Sequence, residues 1–177
     1  MKVLVIVDMQ NDFITGPLGT EQARDIVPKI VELIENGGYD RIIATKDTHS
    51  KRYLSTHEGR WLPVEHCLWR EDGWKIERNI QRALMRFKGT FSSCCKESFG
   101  LITLHSLISD YVSDDVERID MCGVCTDICV ISNAIILRSA MPETDIRIIS
   151  SACAGTTPQM HEKALNIMRG CHMEVIE

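Results

Sequence analysis

The sequence contains no apolar run near the roughly 20 residues that a membrane-spanning helix requires, so no membrane role is expected. It also lacks any Lys/Arg cluster or stripe: 20 basic residues stand against 25 acidic ones, the net charge is -5, and nucleic acid is excluded as a partner on that balance. No linker divides the chain. Met1 leads straight into a strand-like run without a basic segment and cleavage site, and a cytoplasmic protein is the expectation.

What is present is ordinary for a globular protein: 44% hydrophobic and 25% charged residues in 177, enough for one domain spanning 1–177 that buries a full core without staples. Cysteine is plentiful instead. Eight cysteines (Cys67, Cys94, Cys95, Cys122, Cys125, Cys129, Cys153 and Cys171) are expected to be reduced, most of them small core residues and at least one reactive.

The hydrophobic pattern alternates between strand and helix. Lys2 to Val7 is a β-branched and leucine run that reads as a central strand buried on both faces. Glu21 to Glu35 carries Ile26, Ile30, Val31 and Leu33 or Ile34 at helical spacing and stops at Asn36-Gly37-Gly38. Strands follow at Arg41 to Thr45, Thr90 to Cys95, Arg118 to Cys122, Asp145 to Ser150 and Met173 to Ile176. Helices are expected at Glu77 to Phe87, Phe99 to Ser109, Asp127 to Ala140 and Pro158 to Gly170. Six strands alternating with helices predict an α/β fold of three layers, a mainly parallel six-stranded, Rossmann-like sheet between helices. Ligands in such sheets bind beyond the carboxyl ends of the strands. Asp8, Asp47, His49, Lys96 and the segment Cys125 to Cys129 all fall there. One stretch, Lys46 to about Lys75, has little periodicity over some thirty residues, and such a loop is seldom idle.

The segment Met121-Cys122-Gly123-Val124-Cys125-Thr126-Asp127-Ile128-Cys129-Val130 carries the strongest chemical signal. A strand breaks at a glycine and a helix follows, with Thr126 or Asp127 suited to cap it. Cys129 then lies in the first turn, where free amides and the helix dipole favour a thiolate. A core cysteine on an amphipathic helix is the bland alternative, as a solvated charge is for Lys96. Asp8, ending an apolar central strand, is a cap, a cation ligand or a catalytic group. Asp47, His49 and His66, with His57 and Glu58 between, offer oxygen and imidazole donors for a divalent metal. Cys122-x-x-Cys125 also fits a thioredoxin-type thiol oxidoreductase motif.

Taken together these segments resemble the isochorismatase-like cysteine hydrolases, and within them the nicotinamidases, over nearly the whole length. Val5-Ile6-Val7-Asp8-Met9-Gln10-Asn11-Asp12-Phe13 resembles the opening strand and catalytic aspartate. Thr45-Lys46-Asp47-Thr48-His49 and Leu62-Pro63-Val64-Glu65-His66-Cys67 resemble two metal-binding segments, and Gly123 to Val130 is similar to the G-V-x-T-D-x-C-V nucleophile motif. The resemblance implies Cys129 as nucleophile, Asp8 as general base and Lys96, chosen over Lys88, as third member. It implies an oxyanion site at the amides of Cys125 and Cys129, with a cis Val124-Cys125 peptide, and substrate contacts from Phe13, Gln10 and Phe99. It further implies a divalent metal, zinc first and iron or manganese as alternatives, on Asp47, His49, His66 and Glu58, the last preferred over His57. The implied reaction is hydrolysis of nicotinamide to nicotinate and ammonia; another amide, a carbamoyl or ureido compound, or an isochorismate-type vinyl ether is the alternative. Two departures stand out. The family's W-P-x-H-C is one residue longer here, with Trp61 before it, and the chain is short for the family, so lid elements are trimmed or come from a neighbouring copy in a homo-oligomer.

Overall fold

The computed structural model describes residues 1–109 and 116–177. Strands β1 (Lys2–Val7), β2 (Arg41–Asp47), β3 (Thr90–Lys96), β4 (Arg118–Val124), β5 (Asp145–Ala154) and β6 (Glu174–Ile176) form one sheet in the order β3-β2-β1-β4-β5-β6. Every adjacent pair is parallel, so each connection crosses over the sheet. Helices α1 (Asn11–Ile14), α2 (Glu21–Asp25), α3 (Val27–Asn36), α4 (His57–Trp61), α5 (Arg78–Arg86), α6 (Leu104–Ser109), α7 (Ile131–Ala140) and α8 (Pro158–Gly170) occupy these connections. They fall into two packed groups, with α3 against α2 and α5, and α7 against α6 and α8, flanking the sheet in three layers as the alternation predicts. No helix among the described residues is long and apolar enough to cross a membrane.

The position of β1 follows from its composition. Val3 to Val7 are all at most 1% exposed, because a strand with apolar side chains on both faces is stable only at the centre of a covered sheet. From β1 the chain winds outward to β3 on one side, and from β4 it winds outward to β6 on the other. Strand order therefore reverses between β1 and β4, which opens a crevice at the carboxyl ends of those two strands.

Several element boundaries differ from the sequence expectation, each for a local reason. The expected helix over Glu21 to Glu35 is two helices broken at Ile26, because Pro28 in the first turn of α3 has no N–H to continue the ladder from α2. The helix expected from Phe99 starts only at Leu104: the α7 side chain Asn133 holds the Phe99 carbonyl (3.2 Å) and the Leu101 N–H (2.9 Å), claiming backbone that helix would need. The irregular stretch after Lys46 contains a short 3-10 turn and α4, anchored by buried Tyr53, whose hydroxyl donates to the Leu62 carbonyl at 2.9 Å.

Candidate active site

At the end of β1 the backbone turns sharply. Asp8 has φ 50°, a left-handed conformation that Asp tolerates better than most residues. Opposite it on β4, Gly123 has φ 119°, and a Cβ there would lie 2.1 Å from the Val7 carbonyl oxygen, so glycine is required both by conformation and by space. The following peptide, Val124-Cys125, is cis. Residues Thr126–Val130 then form a single π-helical turn that runs into α7. Neither Thr126 nor Asp127 caps it as expected from sequence. Cys125 occupies the cap position, its carbonyl accepting from Ile128 N (3.0 Å) and Val130 N (3.1 Å), while Thr126 bonds to His161 in α8 and Asp127 to Thr156 in the connection before it. The Cys125 amide has no acceptor among the described residues.

The crevice gathers Asp8, Lys96 and Cys129, from three different strand ends. Lys96 Nζ lies 2.7 Å from Asp8 Oδ2, 3.5 Å from Cys129 Sγ and 3.5 Å from Asp47 Oδ1. Asp8 and Lys96 are buried, and Cys129 is 7% exposed. Lys88, the alternative lysine, is exposed and takes no part. Asp8 Oδ1 accepts from Thr45 Oγ1 at 2.7 Å, whereas Oδ2 has close charge contact with Lys96 but no aligned hydrogen-bond donor. That oxygen is open to a proton.

The electrostatics support this. Burial raises the pKa of Asp8, and negative Asp47 adds to the rise, against the opposing pull of Lys96. Burial also pushes the Cys129 thiol well above its ordinary range; Asp8 reinforces the rise and is close enough to accept the thiol proton. Burial and Asp8 thus work against the thiolate that the helix-start position alone favours. For Lys96, burial works against the charge, but Asp8, Cys129 and Asp47 together hold the ammonium above the usual lysine range.

A second cluster abuts the first through Asp47. One ligand atom each from Asp47, His49, Glu58 and His66 lies within 4.8 Å of the others. Asp47 Oδ2 is 2.9 Å from His49 Nε2 and 3.3 Å from His66 Nε2, and Glu58 Oε1 is 3.8 Å from both rings. The fit to a divalent cation follows from His66: its Nδ1 is 2.8 Å from the Val64 carbonyl, so Nδ1 carries the proton and the Nε2 lone pair faces the carboxylates. Lone pairs and two carboxylates converging on one point fit a divalent cation. Burial disfavours charge on Asp47, but the neighbouring His49 and His66 rings and the Lys96 ammonium hold its carboxyl below the usual range. His57 lies outside the group, its ring 6.4 Å from that of Trp61, and Glu58 is its fourth residue.

Of the residues expected on the substrate side, Phe13 is buried against the His66 ring at 5.5 Å and Phe99 is half exposed. Phe99, with Trp61, His49, Glu58 and Ile128, lines a crevice of about 820 Å³ that leads to the metal cluster. Gln10 is different from expectation. Its Nε2 donates to the carbonyls of Asp47 (2.8 Å) and Trp74 (3.0 Å) and its Oε1 accepts from Asp47 N (2.7 Å), so it clamps the backbone of a metal-cluster residue and has no donor left for substrate. Sequence reasoning passed over Asp12, whose carboxylate accepts from Cys67 N at 2.7 Å and ties the first loop to the segment holding His66. The density of polar residues directly after a buried strand was the signal. Burial counts against the dithiol alternative: Cys122 is fully buried with its pKa well raised, and burial pushes Cys125 up to about 12.

A buried thiol, carboxylate and ammonium at the switch point of a parallel sheet define a cysteine hydrolase, and the chain belongs to the isochorismatase family, whose domain matches residues 2–177. Among particular relatives, it is 28% identical to a nicotinamidase of Schizosaccharomyces pombe, covering 98% of this chain and 91% of that one. It superposes on the nicotinamidase PncA of Bacillus subtilis with a TM-score of 0.85 at 23% identity, over 99% of both chains. A pyrazinamidase of Pyrococcus horikoshii in complex with zinc gives a TM-score of 0.80 at 25% identity, over 99% of this chain and 98% of that one.

Proposed function

We propose that the protein is a nicotinamidase that hydrolyses nicotinamide to nicotinate and ammonia through a thioester on Cys129. The observation that carries this reading is Lys96, which touches Asp8, Cys129 and Asp47 at once and so joins a thiol nucleophile to a cluster of metal ligands.

As Cys129 Sγ attacks the amide carbon, Asp8 Oδ2 takes the thiol proton and the carbonyl π pair moves to oxygen. The backbone N–H groups of Cys125 and Cys129 stabilise the oxyanion. When the tetrahedral intermediate collapses, the C–N bond breaks and Asp8 gives its proton to the leaving nitrogen, so ammonia departs and the thioester remains. Water then adds to the thioester, losing a proton to Asp8, and the C–S bond breaks to release the acid and restore the thiol. Lys96 stays charged throughout and offsets the negative charge that passes between Asp8 and the substrate. Asp47, His49, His66 and Glu58 would hold a divalent cation, zinc by analogy with the Pyrococcus relative, and it would supply Lewis-acid polarisation beside the reacting amide. Phe13 and Phe99 border the ring.

Ammonia release from nicotinamide by metal-replete protein tests the proposal. Turnover that disappears in Cys129→Ala supports it, and no release from the metal-replete wild type overturns it. The crevice of about 820 Å³, lined by Phe99, Trp61, His49 and Ile128 rather than by Asp8, Lys96 or Cys129, supports one second reading, a bulkier aromatic amide whose ring substituents extend into it. Faster turnover of ring-substituted than of plain nicotinamide would select it.

A further inference from the structure

One buried contact beside the nucleophile has no part in the reaction just described. Thr126 is completely buried, and its Oγ1 lies 2.8 Å from Nδ1 of His161 in the first turns of α8. Its neighbour Asp127 accepts from Thr156 N at 2.8 Å and Thr156 Oγ1 at 2.6 Å. These bonds tie the turn that carries Cys129 to the connection between β5 and α8. Gly155 sits at the joint, where a Cβ would come within 2.8 Å of His161 Cβ and 2.9 Å of Asp127 Oδ1, so the two segments are in close contact.

His161 is not needed to start α8, because Thr157 already caps that helix through Met160 N at 3.1 Å. Its Nε2 has no hydrogen-bond partner among the described residues, so the ring is engaged at Nδ1 alone. Thr126 directly follows Cys125, whose amide is unpaired among the described residues and is the proposed oxyanion donor, and precedes Cys129 by three residues in one turn. A small rotation at Thr126 therefore shifts both the oxyanion donor and the nucleophile, and misplacement by about 1 Å is enough to cost 100-fold in rate.

We infer that His161 is a positioning residue: through the Thr126 hydroxyl it fixes the turn that aims the Cys125 amide and the Cys129 thiol. The inference rests on the amidase reading for its activity measurements. It is tested on the full-length, metal-loaded enzyme by nicotinamide kinetics of His161→Ala, His161→Asn, Thr126→Val, Thr126→Ser and the double variant His161→Ala/Thr126→Val. His161→Ala and Thr126→Val should each lower kcat by about 10–100-fold with KM within about twofold, and the double variant should be no worse than either. His161→Asn, which places an amide near the Nδ1 position, and Thr126→Ser should recover most of the rate. A kcat for His161→Ala within about twofold of wild type, additive losses in the double variant, or His161→Asn no better than His161→Ala overturns the inference. If His161→Ala does not fold, Thr126→Ser against Thr126→Val decides, and equal kcat values overturn it. Wild type that releases no ammonia sinks the amidase reading separately. The clasp is then read from the rate of Cys129 alkylation by iodoacetamide, followed by intact mass: a change of about fivefold or more in Thr126→Val and not in Thr126→Ser supports it, and equal rates overturn it.

Discussion

Asp120 in β4 and Asp8 at the end of β1 are carboxylates of the same apolar sheet, each at most 1% exposed, yet their surroundings differ completely. Asp120 accepts four hydrogen bonds: Oδ1 from Arg118 Nε (3.0 Å) and Arg147 Nε (2.8 Å), and Oδ2 from Arg147 Nη2 (2.9 Å) and Tyr39 Oη (2.8 Å). Burial disfavours its charge, but these donors hold its pKa below the usual carboxylate range. Asp8 accepts one aligned bond, from Thr45, and among the described residues it shares its one close cation, Lys96, with a thiol and a second carboxylate. Its pKa is pushed up rather than down. A saturated carboxylate can only stabilise the fold; an unsaturated one, with an oxygen open to a proton, can exchange protons with a thiol and a leaving group.

The contrast breaks most visibly in activity. Cys129→Ala should lose nicotinamide turnover by about 10⁴-fold or more, and Asp8→Asn by about 10²–10⁴-fold, measured as ammonia release. The double variant Asp8→Asn/Lys96→Met should be as inactive yet unchanged or higher in Tm, because replacing a poorly satisfied buried ion pair by neutral groups of similar shape is often neutral or stabilising. Next in size, His66→Ala should lose bound metal by elemental analysis and about 10–100-fold in activity while the fold persists.

Asp120→Asn should behave in the opposite way, with kcat within about twofold of wild type but a stability loss of about 3 kcal/mol in denaturant unfolding at pH 7, as two arginines lose their buried partner. The sign of its pH dependence is fixed. Because the folded pKa of Asp120 is depressed, its contribution is fully present above the unfolded carboxylate value of about 3.9 and is lost as pH falls through the folded value. The stability gap between wild type and Asp120→Asn should therefore narrow below about pH 4; a constant gap would contradict the ionised role. The smallest effect belongs to Cys125→Ala, whose activity should stay within about twofold of wild type, since the backbone amide and not the thiol is used.

The sheet and its central strand were legible from sequence because β1 is a clean apolar run and strands alternate with helices along the chain. Asp8, Lys96 and Cys129, and the group Asp47, His49, Glu58 and His66, were singled out by the family resemblance, and the structure brings the members of each group together. What was not legible depends on contacts distant in sequence. Gln10 looked like a substrate contact because nothing local reveals that the backbone of Asp47 and Trp74 saturates its amide. The break at Ile26 follows from Pro28 and was locally visible; the late start of α6 follows from Asn133, some thirty residues on, and was not. The pull against a Cys129 thiolate was not legible for the same reason. A helix start favours a thiolate, but burial raises the pKa of the thiol, and the Asp8 carboxylate, distant in sequence, adds to the rise.

Rapid-quench mass spectrometry of metal-loaded enzyme mixed with nicotinamide tests the cysteine chemistry most directly. The prediction is a transient nicotinoyl adduct on the peptide bearing Cys129, formed as ammonia is released and absent in Cys129→Ala. Ammonia release without any adduct on Cys129, or undiminished release from Cys129→Ala, would contradict it.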